Sequence, residues 1–255
     1  MLETLPFFAN TGLGEGTLWT LVIASYFTSA LTAAFGIGGG VALLAILSMA
    51  IPVTTLIPLH GMVQMGSNAG RAWHLRQHVK WSFIAAFSLG ALIGTAIGSQ
   101  IVIALPDALL KVVLALFILA LVWAPNPKFI RGGALTNAFG GAISSLGSMF
   151  VGATGPLVAA LVAGKADDRQ GVVSTHATAM TIQHGLKIIA FGMVGFAFST
   201  WLGLIVAMIA TGYLGTITGG KILRVMDEKL FRKIFKLILT ALALFMLFKG
   251  VQGLL

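Results

Sequence analysis

Two sets of polar residues stand 116 positions apart within stretches that are otherwise apolar. Within each set the other residues lie 4, 7 and 11 positions after the histidine, a spacing that keeps them on one face of a helix. Their imidazole, amide, hydroxyl and cationic groups donate hydrogen bonds, so these faces suit the binding of an anion inside a membrane. The first set is His60, Gln64, Ser67 and Arg71, the second is His176, Met180, Gln183 and Lys187, and Asn68 and His184 flank them at equivalent positions.

These polar residues also have purely structural interpretations. A lone histidine in a membrane helix commonly makes a structural hydrogen bond, whereas two histidines at equivalent positions, His60 and His176, favour a role in function. Arg71 and Lys187 either contact the ligand or extend their side chains to the membrane interface. We interpret both pairs as candidate substrate-binding residues.

Two glycine-rich clusters, at 36–40 and 152–156, precede the polar faces. Glycine at this density breaks a helix and lets a ligand approach the backbone. A helix that restarts after the break points its free amides and positive dipole end into the protein, which is a site for an anion. Close helix packing through small residues is the alternative, and the spacing of Gly90, Gly94 and Gly98 indicates such packing. The candidate binding residues in the two breaks are Gly38, Gly39, Gly40, Thr154 and Gly155.

The positions of the acidic residues indicate the sign of the charge on the ligand. All seven fall in the N-terminal tail or in predicted loops, so no carboxylate is placed to bind a cation within a membrane span. The sequence therefore predicts an anionic substrate and no metal or cofactor. The acidic residues are Glu3, Glu15, Asp107, Asp167, Asp168, Asp227 and Glu228.

The composition is that of an integral membrane protein. Hydrophobic residues make up 58% of the 255-residue chain and charged residues only 9%, against about 25% in globular proteins. The 55 residues between Glu15 and Arg71 carry no formal charge, and a bilayer crossing needs only about 20 apolar residues. This excludes a soluble enzyme and a nucleic-acid partner, despite the net charge of +9. We expect one membrane domain over 1–255, embedded in a lipid bilayer.

The chain repeats itself internally. Gly94-Thr95-x-x-Gly98 returns 121 residues later as Gly215-Thr216-x-x-Gly219, which predicts related halves at 17–124 and 131–250. Each half has five hydrophobic segments, and because five is odd, the second half is inverted relative to the first. The predicted fold is an all-α polytopic membrane protein with about ten helical segments, the second of each half being short. The segments are 17–35, 37–50, 55–71, 81–105 and 108–124, then 132–150, 152–164, 171–191, 194–220 and 234–250.

The basic residues predict the orientation. If all ten segments cross, the loops at 71–80, 125–131, 165–169 and 221–236 share one side and hold 13 of the 16 Lys and Arg residues. Because cytoplasmic loops collect Lys and Arg, both termini are predicted to lie outside. If the short segments re-enter without crossing, the split becomes 9 to 7 and indicates no orientation.

The break at Gly36–Gly40 after a first span, its partner at 152–156 and the glycine-rich fourth segments together resemble the TauE/SafE type of sulfite exporter, over nearly the whole chain. That family consists of small bacterial proteins of the cytoplasmic membrane, built from two repeated halves. The resemblance implies export of sulfite, thiosulfate, a sulfonate or another small organic anion.

We therefore predict a secondary transporter that exports a small sulfur oxyanion by alternating access. A passive anion channel would use the same donors, and export of another small organic anion is the other alternative. An intramembrane enzyme is the rival from another class, and we predict against it because the sequence lacks a His-Glu-x-x-His pattern, a Gly-x-Ser-x-Gly elbow and paired intramembrane aspartates. The predicted partners are a small anionic substrate, the lipid bilayer and, in a homo-oligomer, a second copy of the chain.

Overall fold

The computed structural model describes residues 8, 11–35, 38–102, 104–123, 132–163, 169–222 and 228–255. Across these ranges the chain forms ten α-helices and no strand, which confirms the predicted all-α class with ten segments. The helices are α1 Glu15–Phe35, α2 Gly39–Ala50, α3 Val53–His74, α4 Trp81–Val102, α5 Asp107–Trp123, α6 Ala134–Val151, α7 Gly155–Ala163, α8 Arg169–Met193, α9 Leu202–Ile222 and α10 Glu228–Gln252.

Most predicted segment ends lie within three residues of the helix ends, and the two larger differences have physical causes. The segment predicted from 194 begins as a turn, with Gly195 at φ 90° and a 3₁₀ helix at Phe198–Trp201, so α9 starts at Leu202. The segment predicted from 234 begins six residues earlier, at Glu228, because charged residues form the first turns of α10. The predicted loop at 125–131, residues 165–168 of the loop predicted at 165–169, and residues 223–227 of the loop predicted at 221–236 lie outside the described residues.

The helices α2 and α7 are shorter than the hydrocarbon layer of a bilayer is thick. With 12 and 9 residues, they cover about 18 and 14 Å at 1.5 Å per residue, against about 30 Å of hydrocarbon. Whether these two segments cross the bilayer stays a prediction, whereas the prediction of a short second segment in each half is confirmed. By length and apolar composition, Trp81–Val102 and Phe198–Gly219 meet the criterion for a span among the described helices. In α3 and α8 the inward polar faces lower the hydropathy.

The same helix contact occurs twice, between α4 and α6 and between α9 and α1. A Cβ on Gly94 would overlap the Ala142 carbonyl, and a Cβ on Gly215 would overlap the Tyr26 carbonyl. The glycines of the two pairs are 121 positions apart and their partners 116, as the internal repeat predicts. Four residues further along each helix, Gly98 lies against Met149 and Leu146, and Gly219 lies against Ala30. The first helix of each half thus packs against the fourth helix of the other half.

Replacing Gly94 with Leu is expected to destabilise the protein strongly, because the side chain would be driven into the backbone of α6. Overpacking of a fitted interface costs about 1–3 kcal/mol. A Cβ added at Gly70 would meet no atom within 4 Å, so Gly70→Leu is the matched control. Thermal unfolding of the purified protein in detergent measures both variants. Equal unfolding temperatures for the two variants would show that the α4–α6 contact tolerates a side chain.

The helices that carry the polar faces, α3 and α8, pack against each other in the centre of the bundle. The start of α3 is held by a carboxylate from another helix, since the Asp107 side chain accepts a hydrogen bond from the Val53 amide at 2.6 Å. Asp107 also pairs with Lys111 at 2.9 Å. A negative group at a helix N-terminus is favourable, so α5 fixes where α3 begins.

Candidate functional site

The two glycine breaks place helix N-termini inside the protein. Gly38 precedes α2 with a φ of 104°, and Gly152 follows α6 with a φ of 73°. Residues that carry a side chain rarely adopt these backbone conformations, so glycine is needed at both positions. The first amides of a helix have no acceptor within it, so the breaks offer hydrogen-bond donors at the centre of the bundle.

A cavity of about 50 Å³ lies between the two breaks and the polar faces of α3 and α8. Of the fourteen candidate residues predicted from the sequence, nine line it. They are Gly38, Gly40, His60, Gln64, Asn68, Arg71, Gly155, His176 and His184. The halves of the repeat thus converge on one site, although whether these residues bind substrate stays a prediction.

Each polar face is tied to the glycine break of its own half by a histidine. His60 Nε2 donates to the Gly40 carbonyl at 2.9 Å, and His176 Nε2 donates to the Gly155 carbonyl at 3.1 Å. Because a carbonyl can only accept, the hydrogen of each neutral ring is on Nε2. The structural hydrogen bond and the cavity-lining position therefore occur in the same side chains.

Arg71 is the charged residue among the described residues that line the cavity. Its guanidinium donates to the Asn68 side-chain oxygen at 3.0 Å and to the Ser67 main-chain carbonyl at 3.4 Å. The Asn68 amide in turn donates to the Gln64 carbonyl at 2.8 Å. These contacts hold the guanidinium on the helix, and Ser67 contributes through its backbone without lining the cavity.

Gln64 lies directly against the first glycine break. A Cβ on Gly40 would overlap the Gln64 amide nitrogen, so glycine is required for this side chain to reach the cavity wall. Gly39 is different, since it packs on the Thr28 carbonyl of α1 and does not line the cavity. Its role in the structure is close contact with α1.

Gln183 and Thr154 form a structural network behind the cavity. The Gln183 side-chain oxygen accepts from Ser144 at 3.2 Å and from Ser145 at 3.4 Å, and its amide donates to Thr154 Oγ1 at 2.8 Å. All four side chains are buried, and neither candidate lines the cavity. The network joins α6 and α8 to the start of α7.

Lys187 is buried inside the helical bundle. Its side chain is 1% exposed, and Nζ donates to the Gly152 carbonyl at 3.2 Å. The aliphatic part packs under Gly61, where a Cβ would be 3.2 Å from Lys187 Cδ. The alternative of a side chain extended to the membrane interface is therefore wrong for Lys187, because glycine at position 61 leaves room for it inside.

Five further residues, which were not predicted from the sequence to bind substrate, also line the cavity. Thr32 had a signal, since its repeat equivalent Ser148 is also a small hydroxyl residue and is fully buried. Met180 shares the polar face of α8 but offers no hydrogen-bond donor. The five are Thr32, Val41, Ala153, Pro156 and Met180. No Asp or Glu is among the described residues that line the cavity.

An all-helical bundle with a repeated architecture, two interrupted helices and a central polar cavity defines the class of polytopic membrane transporters. The family model "Sulfite exporter TauE/SafE" matches residues 21–246, and the chain belongs to this family. Membership confirms the resemblance and implies export of an anion of the sulfite or sulfonate type. No curated protein and no solved structure matches the chain significantly.

Proposed function

We propose that this protein exports a compact sulfur oxyanion, such as sulfite, thiosulfate or a small sulfonate, by alternating access across a bacterial cytoplasmic membrane. The observation that carries the proposal is the cavity between the N-termini of α2 and α7. It combines backbone amides, Arg71 and polar side chains without a lining carboxylate among the described residues. Such a set of donors attracts an anion and offers a cation no charged ligand.

The size of the cavity supports a small substrate. A cavity needs about 10–15 Å³ to hold one water molecule, so a cavity of about 50 Å³ holds roughly four water-sized groups. That number matches an oxyanion such as sulfite or thiosulfate better than a long organic acid. Competition between thiosulfate and longer sulfonates is therefore expected to favour thiosulfate.

Alternating access is supported by a difference between the two halves. Arg71 is partly exposed and lines the cavity, whereas its repeat equivalent Lys187 is 1% exposed and bonded to Gly152. We infer that the cavity opens on the Arg71 side in this conformation and is closed on the Lys187 side. Exchange of the two arrangements would open it on the opposite side.

The membrane potential favours the proposed direction. An interior-negative potential of 100 mV favours exit of each negative charge by about 2.3 kcal/mol. Export down this gradient needs no second ion moving inward. Direction of transport in cells also depends on the substrate concentrations on the two sides.

The transport activity is tested with purified protein in liposomes loaded with sulfite, thiosulfate, methanesulfonate, sulfate or acetate. We expect saturable efflux of the sulfur oxyanions, with counterflow of labelled substrate, and little transport of acetate. Absence of flux for every sulfur oxyanion would overturn the proposal. A conductance measurable from single molecules would identify a channel instead of a carrier.

The orientation is tested by single cysteines, because the chain contains none. Gln77 is exposed in the short helix Arg76–His78 after α3, and Ala104 is exposed between α4 and α5. If all ten segments cross, an impermeant thiol reagent added outside intact cells should label Ala104→Cys and leave Gln77→Cys unreacted. The opposite pattern would invert the topology. Met226 suits the same test in sequence but lies outside the described residues.

A further inference from the structure

Lys187 is a buried amine with few partners. The Gly152 carbonyl, at 3.2 Å, is the hydrogen-bond acceptor that the described residues provide for it. A protonated lysine has three N–H donors, so two of them would be left without an acceptor at a site that is 1% exposed. An ammonium group buried in this way is unfavourable unless an anion lies close to it.

Two imidazole nitrogens near Lys187 are also buried without partners. They are Nδ1 of His60 and Nδ1 of His184, whose rings lie 6.1 Å apart. Gly152 brings the groups together, because its Cβ position would be 3.6 Å from His60 Nδ1 while its carbonyl accepts from Lys187. The first polar face and the second therefore meet behind the cavity wall.

The chemistry of this cluster differs from that of the cavity. Nε2 of His60 donates to Gly40, so Nδ1 of the neutral ring presents a lone pair. Lone pairs accept protons and repel anions, whereas the cavity offers amide and guanidinium donors. The cluster behind the wall is therefore suited to hold a proton, and the cavity is suited to hold the anion.

The surrounding helices place no compensating carboxylate at this cluster. In their described residues, α4, α6 and α7 carry no titratable side chain. The short helix Arg76–His78 meets the opposite end of α8, where the Lys80 amide contacts Thr175, twelve residues before Lys187. From α3, His60 lies beside the Gly152 that Lys187 contacts, and on α8 itself His184 lies against the His60 ring. Arg71 and His176 line the cavity together with these two histidines.

We propose that Lys187 takes up one proton when an anion occupies the cavity and releases it when the anion leaves. The Nζ lone pair receives one proton that comes ultimately from solvent, and no other covalent bond of the protein forms or breaks. The bound anion and the ammonium group stabilise each other. Protonation therefore raises the affinity of the protein for the anion, and the bound anion raises the affinity of Lys187 for the proton by the same factor. This inference rests on the proposed function, because it requires an anion in the cavity. A dianion that leaves with one proton still carries one negative charge outward.

Isothermal calorimetry of the full-length protein in detergent tests the proposal, with thiosulfate and methanesulfonate as ligands. Both stay ionised near neutral pH, so the protons counted do not come from the ligand. The dependence of the binding enthalpy on the ionisation enthalpy of the buffer counts the protons taken up, and we expect about one per anion. Affinity should fall about ten-fold per unit of rising pH where this uptake is complete.

Variants separate Lys187 from other groups. Lys187→Arg keeps the positive charge but cannot lose its proton, so we expect binding with uptake near zero. Lys111→Arg, at the exposed pair with Asp107, is the matched control and should keep the uptake of the unchanged protein. Binding of the unchanged protein without proton uptake, or equal uptake in Lys187→Arg, would overturn the proposal while leaving the function intact. Failure of both anions to bind would instead overturn the proposed function.

Discussion

Arg71→Gln is expected to weaken thiosulfate binding by about ten- to a hundred-fold. The loss corresponds to a hydrogen bond to a charged group, which contributes about 1.5–3 kcal/mol, and about 1.4 kcal/mol changes affinity ten-fold. The reason for so large an effect is that no other charged residue lines the described cavity. Calorimetric titration of the purified variant measures the dissociation constant.

The control for this variant is Arg76→Gln. Arg76 is exposed, lies over the Trp73 ring at 4.7 Å and donates to the Trp73 carbonyl, away from the cavity. We expect its thiosulfate affinity to match that of the unchanged protein. If the two variants bind thiosulfate equally well, Arg71 does not contact the substrate.

Replacing His60 and His176 together with Ala is expected to reduce thiosulfate binding more than either single change. Each ring holds a glycine break through one hydrogen bond to a carbonyl, worth about 0.5–1.5 kcal/mol, so each single change should cost up to about ten-fold in affinity. Without both bonds the first turns of α2 and α7 are no longer fixed against the polar faces.

His78→Ala is the matched control for the histidines, because His78 is exposed after α3. Circular dichroism and thermal unfolding establish that each variant keeps its helices. A folded double variant with unchanged calorimetric binding would show that the two histidines serve the structure alone.

The sequence indicated much of the site because its signals are local. Helical spacing identified the faces of His60 and His176, and glycine density identified the breaks before them. Because both features occur at equivalent positions of the two halves, a chance occurrence is a poorer explanation than a shared role. Spacing and glycine density depend only on neighbouring residues, and the repeat is visible in the sequence itself, so none of these signals requires knowledge of the fold.

Other features depend on partners that are distant in the chain. Gln183 shares a polar face with His176, yet Ser144 and Ser145 of α6 occupy its side-chain oxygen and Thr154 its amide. Lys187 is buried because Gly61, on another helix, leaves room for its side chain. Spacing predicts the face on which a residue lies, but not which neighbour has already engaged its hydrogen-bonding groups.

The glycine contacts between α4 and α6 and between α1 and α9 restrict the motions available to the bundle. In each pair a backbone lies against a backbone, so a shift along the axis would force side chains into main-chain atoms. Each pair should therefore move as one rigid unit that contains one helix from each repeat. During transport these two helix pairs would then move relative to α3 and α8. Because each pair joins the two repeats, a hinge would have to lie within each repeat and not between the repeats.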